Sequence, residues 1–241
     1  MPKIHPTAIV DSRAELADDV EIGPHCVIDG PVQIGAGTRL LGHVYVHGPA
    51  RIGQGNLVYP FACLGFGPQH RAAPPGEVNA GIRIGDRNVF RENVTVHRAI
   101  GDHPTTLGND NYLMVNAHIG HDAVVEDFCT LTNGVALGGH AYLQERVTLG
   151  GNAMVHQFCR VGRLAMLSGN MGVAQDLPPF CTSYANRSIG SLNKVGLRRA
   201  GLRDHIPNLQ KAFDLVFKKT RPNLRAVETL EQELGHDRLC M

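Results

Sequence analysis

A six-residue beat constrains this chain more than any local propensity does. An aliphatic residue recurs at Ile4, Val10, Leu16, Ile22, Ile28, Ile34, Leu40, Val46, Ile52, Val58 and Leu64. The beat resumes at Ile84, Phe90 and Val96, then runs unbroken from Leu107 to Val173. A strict period of this kind marks a solenoid, in which each repeat buries its apolar face only against its neighbours. The fifth position of the hexad is mostly small, as at Ala8, Ala117, Ala123, Cys129, Ala141 and Ala153, which suits a crowded inward corner. Six-residue faces predict a triangular coil of about 18 residues with parallel strands about 4.8 Å apart.

Two segments break the beat. Residues 66–83 are rich in Gly, Pro and Ala, and residues 99–106 read Ala-Ile-Gly-Asp-His-Pro-Thr-Thr. Both are expected to be loops thrown out of the coil, and insertions in a repeat array usually sit on its binding face. The beat ends at Asp176-Leu177-Pro178-Pro179. The expected organisation is therefore a solenoid over 1–179 and a small helical region over 180–241. Within that region 191–200 and 224–234 are expected as helices, and 207–217 carries helical spacing in Leu209, Ala212, Phe213, Val216 and Phe217.

The bulk composition narrows the partners. Lys plus Arg total 23 against 22 Asp plus Glu, which leaves no nucleic-acid footprint. No run approaches the roughly 20 apolar residues that span a bilayer. The six cysteines form no CxxC pair, and Cys26, Cys129 and Cys159 share the small-residue register. They read as buried thiols at a tight corner, and a reducing cytoplasm is the expected compartment.

Thirteen histidines are distributed unevenly. His97, His121, His140 and His156 fall near one edge of the prism on successive coils, and His118 lies three residues before His121. A ladder of imidazoles in a near-neutral protein suits proton transfer. His121 stands out because the adjacent Asp122 can fix its tautomer. Zinc on neighbouring coils is the alternative reading; the three-residue spacing of His118 and His121 disfavours it, and no metal is expected.

The ordered segments Val94-Thr95-Val96-His97-Arg98, Asn116-Ala117-His118-Ile119-Gly120-His121-Asp122, Leu137-Gly138-Gly139-His140, Val155-His156-Gln157-Phe158-Cys159 and Gly172-Val173-Ala174-Gln175-Asp176-Leu177-Pro178-Pro179 resemble the bacterial UDP-N-acetylglucosamine 3-O-acyltransferases of lipid A biosynthesis. The resemblance extends to Asn193–Arg199. It implies a left-handed parallel β-helix and a homotrimer with sites between subunits. It also implies an acyl donor carried on the phosphopantetheine of acyl carrier protein, a UDP-amino sugar acceptor and no other cofactor. His121 is then the general base, Asp122 its orienting partner, and the Gly139 N–H the oxyanion donor. His97, His118, His140, His156 and Gln157 line the substrate cleft. Asn193 and Arg199 address the nucleotide, and Gly169 sits where acyl-chain depth is limited.

The chain departs from that pattern at several positions. Gln69 fits, but His70 stands where the family has Asp and Ala72 where it has Lys, with Arg71 one residue away as a replacement cation. Val195 and Ala200 replace an expected Glu and Arg. These changes motivate a second reading, the same chemistry on another nucleotide sugar such as a 3-amino analogue. A third is a non-catalytic trimeric scaffold that binds acyl carrier protein. The basic cluster Arg198, Arg199, Arg203, Lys211, Lys218, Lys219 and Arg221 is a candidate docking face for that acidic carrier.

Overall fold

The chain winds into a parallel β-solenoid in a computed structural model. The model describes residues 1–241 except 72, 74–79, 185–188, 219–223, 236 and 241, and the side chains of 218 and 224–227 also lie outside the described residues. Ala72, Lys219, Arg221 and most of the 69–77 segment therefore lie outside the described residues.

Strands of two to four residues stack into three sheets of 11, 9 and 8 strands, one for each face of the prism. The beat residue of each strand points inward. Leu113, Ile119, Leu131, Leu143 and Leu149 are wholly buried, as are the small corner residues Ala117, Ala123, Cys129 and Ala141. Burying each leucine contributes about 2 kcal/mol, so the central stack is the main source of stability. The corner thiols are buried as expected, and burial pushes Cys129 up to about 12.

Strand N–H groups donate to the coil that follows, as His118 does to the Val135 oxygen at 2.8 Å. Neighbouring coils are offset by 18 residues; the offset becomes 32 across the first loop and 23 across the second. Register survives both insertions, with Thr95 facing Cys63 above and His118 below. The loops are shorter than expected. Phe66 ends one strand and Ile82–Ile84 forms the next, while Thr105 and Thr106 already belong to strand Thr105–Leu107. Both ends had been hidden because the beat residue itself lies two positions further on.

A buried polar column runs down one corner. The Asn88 N–H donates to Asn56 Oδ1 at 2.9 Å, the Asn111 N–H to Asn88 Oδ1 at 2.9 Å, and the Cys129 N–H to Asn111 Oδ1 at 2.7 Å. Asn88 Nδ2 also donates to the Gly108 oxygen at 3.0 Å. The three asparagines are at most 1% exposed, and they sit on the coils that flank the two loops.

The prism does not end at residue 179. Cys181–Ser183 continues the first face in parallel with Met166–Leu167, and Ser191–Leu192 returns antiparallel to it. The helix expected from 191 therefore starts only at Lys194, because Ser191 and Leu192 complete the sheet edge. Helix α1 spans Lys194–Arg199, α2 spans Ile206–Phe213 and α3 spans Leu224–Leu234. A π turn at Asp214–Lys218 prolongs α2 to the expected length. Leu197 and Leu209 pack with Leu164, Phe180 and Leu192, which closes the last coil against water. No helix is long and apolar enough to cross a membrane among the described residues.

Asn88→Ala is expected to lower stability by about 2–4 kcal/mol, because it strands the Asn111 N–H and the Gly108 oxygen in the interior. Denaturant midpoints of the two proteins check this; a shift below ~0.5 kcal/mol would mean the column is incidental.

Candidate active site

Five-residue and fourteen-residue interruptions leave their loops on one edge of the prism, and the histidines gather there. Each histidine lies in or just after a strand of the second face: His97 ends Thr95–His97, His118 opens His118–Ile119, and His121 and His140 occupy the turns behind their strands. They share an edge but not a ladder. Against the 18-residue period, spacings of 19 and 16 residues set His140 one position after His121 and His156 two positions before His140, so the rings do not form one column. That offset matters, because it surrounds one imidazole with others instead of stacking them all.

The surrounded ring is His121, which is 9% exposed. His140 meets it edge-on at 5.3 Å between centroids, and His70 meets it at 5.6 Å. A cleft of about 310 Å³ opens over it, walled by Gln69, His70, His97, His118, Gly139 and Gln157. His70, which in the sequence stands out only as a departure from the family pattern, forms part of this wall.

His121 Nδ1 lies 2.7 Å from Asp122 Oδ2. Burial alone would raise the Asp122 carboxyl, but the Ile100 N–H, His121 and the Gly101 N–H outweigh it and hold the group below the usual carboxylate range. An ionised carboxylate only accepts, so His121 Nδ1 carries the proton and Nε2 is left as an acceptor. That nitrogen lies along Gly139: a Cβ there would stand 2.5 Å from both Cε1 and Nε2. Glycine is required at 139 by this approach. The Gly138 and His140 N–H groups serve neighbouring coils, whereas the Gly139 N–H has no acceptor among the described residues.

His118 Nδ1 pairs with Thr95 Oγ1 at 2.8 Å, and its ring meets His97 at 5.1 Å. Burial, with the neighbouring His97 and His121, pushes His118 down to about 4. Burial also lowers His97, whose Nδ1 is enclosed without a hydrogen-bond partner. These two rings are neutral walls. His140 stacks on Phe158 at 4.5 Å and His156 is exposed, so both flank the cleft from outside. His121, Asp122 and His140 offer ligand atoms within 4.8 Å of one another, a set able to hold a metal ion.

The remaining expected residues lie elsewhere in the single chain. Gly169 is exposed in a turn behind the first face. Asn193 caps α1, accepting from the Gly196 N–H at 2.9 Å and donating to the Leu164 oxygen at 2.7 Å. Arg199 ends α1 and is exposed, as is Arg71 on the first loop. Of the basic cluster, Lys211 is paired with Glu233 at 2.6 Å, and Arg198 and Arg203 are exposed.

Residues 176–240 match the family profile described as Udp N-acetylglucosamine O-acyltransferase, domain 2. An acyl-(acyl-carrier-protein)–UDP-N-acetylglucosamine O-acyltransferase of Halorhodospira halophila is 43% identical over 240 residues, covering 98% of this chain and 92% of that protein. One of the same name from Gloeothece citriformis is 41% identical over 153 residues, or 62% of this chain and 55% of that protein. The crystal structure of a UDP-N-acetylglucosamine O-acyltransferase from Moraxella catarrhalis superposes with a TM-score of 0.92 at 38% identity, covering 97% of this chain and 92% of that one.

The depressed histidines predict a pH dependence of stability. Unfolded histidine binds its proton near pH 6.5, but folded His118 binds one only near 4. The unfolded state therefore takes up more protons between those values, and stability falls as pH drops through that window. His118→Gln should flatten the melting temperature between pH 6.5 and 4; an unchanged slope would show that His118 is not the neutral wall described.

Proposed function

The chain belongs to the UDP-N-acetylglucosamine O-acyltransferase family, and from that premise we propose how its residues move an acyl chain from acyl carrier protein to the sugar nucleotide. The enzyme is an acyltransferase. The observation that carries the mechanism is the His121–Asp122 pair, whose free Nε2 faces the cleft beside the Gly139 backbone.

The acceptor is the 3-hydroxyl of UDP-N-acetylglucosamine. His121 Nε2 takes its proton as the oxygen attacks the carbonyl of the acyl thioester. Asp122 stabilises the imidazolium that forms. The Gly139 N–H donates to the developing oxyanion, and its lack of another acceptor supports that assignment. Collapse expels the phosphopantetheine thiolate, which takes the proton back from His121. The transfer as drawn needs no metal and no cofactor beyond the donor's own arm.

His97, His118 and Gln157 hold the acceptor, and the two neutral imidazoles offer hydrogen bonds without competing for the proton. Gln69 and Arg71 reach it from the first loop. Gly169, Asn193 and Arg199 stand away from His121 in one chain, which supports a homotrimer in which a neighbouring subunit completes the site. Exposed Met154 and Phe158, at 55% and 66%, lie beside the cleft and suit such an interface. A cytoplasmic address fits the six unpaired thiols. The exposed Arg198, Arg199 and Arg203 suit docking of the acidic carrier.

His70 in the cleft wall favours a second reading, transfer to a related acceptor such as the 3-amino analogue. A direct assay decides between them, with UDP-N-acetylglucosamine and the analogue offered against a panel of acylated carrier proteins and the product detected by mass.

Removing the base in His121→Ala should cut turnover at least ~100-fold while size-exclusion elution is unchanged. Wild-type turnover in that variant would end the mechanism. Arg71→Ala should raise KM for the nucleotide sugar about tenfold with kcat little changed, as expected for lost ground-state binding. An unchanged KM would remove Arg71 from the site.

A further inference from the structure

The turn that carries Asp122 is secured differently from its neighbours. Asp122, His140 and Phe158 occupy one column of turns, each with a left-handed backbone at φ 58°, 59° and 64°. The His140 N–H donates to the His121 oxygen one coil above, and the Phe158 N–H donates to the Gly139 oxygen. These bonds hold a conformation that a non-glycine residue adopts at a cost. Above Asp122 the second loop has replaced the ordinary turn. The Asp122 N–H donates instead to Thr105 Oγ1 at 2.7 Å.

The same loop returns two donors. The Ile100 N–H meets Asp122 Oδ2 at 2.9 Å, and the Gly101 N–H meets Oδ1 at 3.0 Å. The loop itself is tied shut, because the N–H groups of Ala99 and Thr105 both donate to the Gly81 oxygen at 3.2 Å. Thr105 is wholly buried. A Cβ on Gly101 would lie 3.1 Å from Asp122 Oδ1, so the exposed loop already sits as close as it can.

We propose that Thr105, with the Ile100 and Gly101 amides, is the positioning device of the catalytic pair. Thr105 sets the main chain of Asp122, the two amides fix both carboxylate oxygens, and Asp122 thereby aims His121 Nε2 at the acceptor. Thr105 touches neither substrate nor His121; it acts through Asp122. The inference rests on the reading of His121 as general base, and it gives the second insertion a task other than contact with substrate.

Thr105→Val keeps the volume and removes the acceptor oxygen. It should lower kcat roughly tenfold, with both KM values within about twofold, because a positioning group acts on the transition state and not on ground-state binding. Thr105→Ser should recover kcat to within about threefold of wild type, since it keeps the oxygen. In an Asp122→Ala background, Thr105→Val should change the residual kcat by less than about twofold, because the two act as a unit. Gly101→Ala is an independent probe on an exposed loop; its methyl displaces Oδ1 and should cost about threefold in kcat.

An unchanged kcat in Thr105→Val overturns the proposal, as does a full tenfold loss in the Asp122→Ala background. If Thr105→Val does not assemble, Gly101→Ala decides, and an unaltered kcat there overturns it. His121→Ala serves as the control for the underlying mechanism. Wild-type turnover in that variant overturns the general-base reading, whereas a silent Thr105→Val beside a dead His121→Ala overturns only the positioning role.

Discussion

Everything in this molecule hangs from the backbone bond between one coil and the next. Two-residue strands have almost no stability of their own, so each exists because its N–H and C=O groups meet a partner at a fixed offset. That offset of 18 residues is also what converts sequence distance into spatial proximity. His118 lies beneath Thr95, and Gly139 lies beneath His121, only because 23 and 18 residues are the two offsets in force there. An insertion that respects the ladder leaves the scaffold intact and adds surface; the two loops do this on the edge where the histidines lie.

The prism was legible in the sequence because aliphatic periodicity and strand register are the same fact seen twice. Ile119, Val125 and Leu131 announce three faces in turn, and all three are buried as that pattern demands. Boundaries were less legible. A hexad marks its inward residue but not its first residue, so Ile82 and Thr105 were assigned to loops although they pair in strands. Ser191 and Leu192 read as the start of a helix; an antiparallel pairing to Cys181 and Thr182 claims them instead. Such pairing is a tertiary event with no local signature.

The site was legible in part, for chemical reasons. His121 beside Asp122 is a contact between chain neighbours, which a sequence can show directly. Gly139 could be named only through family resemblance, because its closeness to His121 Nε2 depends on the stacking of two turns. The neutrality of His118 comes from burial, helped by repulsion from His97 and His121, and burial of a given ring is invisible before the fold is known. Asn193 was assigned to a nucleotide, and in the single chain its amide is occupied by α1 and Leu164. Thr105 reads in the sequence as the last residue but one of a loop.

The asparagine column has a consequence for how such a chain avoids threading itself wrongly. Aliphatic residues at every sixth position cannot tell one coil from another; a shift by a whole coil presents the same greasy pattern. The danger is greatest where the thread is interrupted and a long loop must be spanned before the next coil is found. Asn56, Asn88 and Asn111 stand on those coils, and the side-chain oxygen of each accepts the backbone N–H of one residue on the next coil. A misthreaded coil would leave those oxygens and N–H groups facing hydrocarbon, a penalty that uniform apolar packing cannot impose. The column acts as a set of numbered pegs in a ladder whose rungs are otherwise alike.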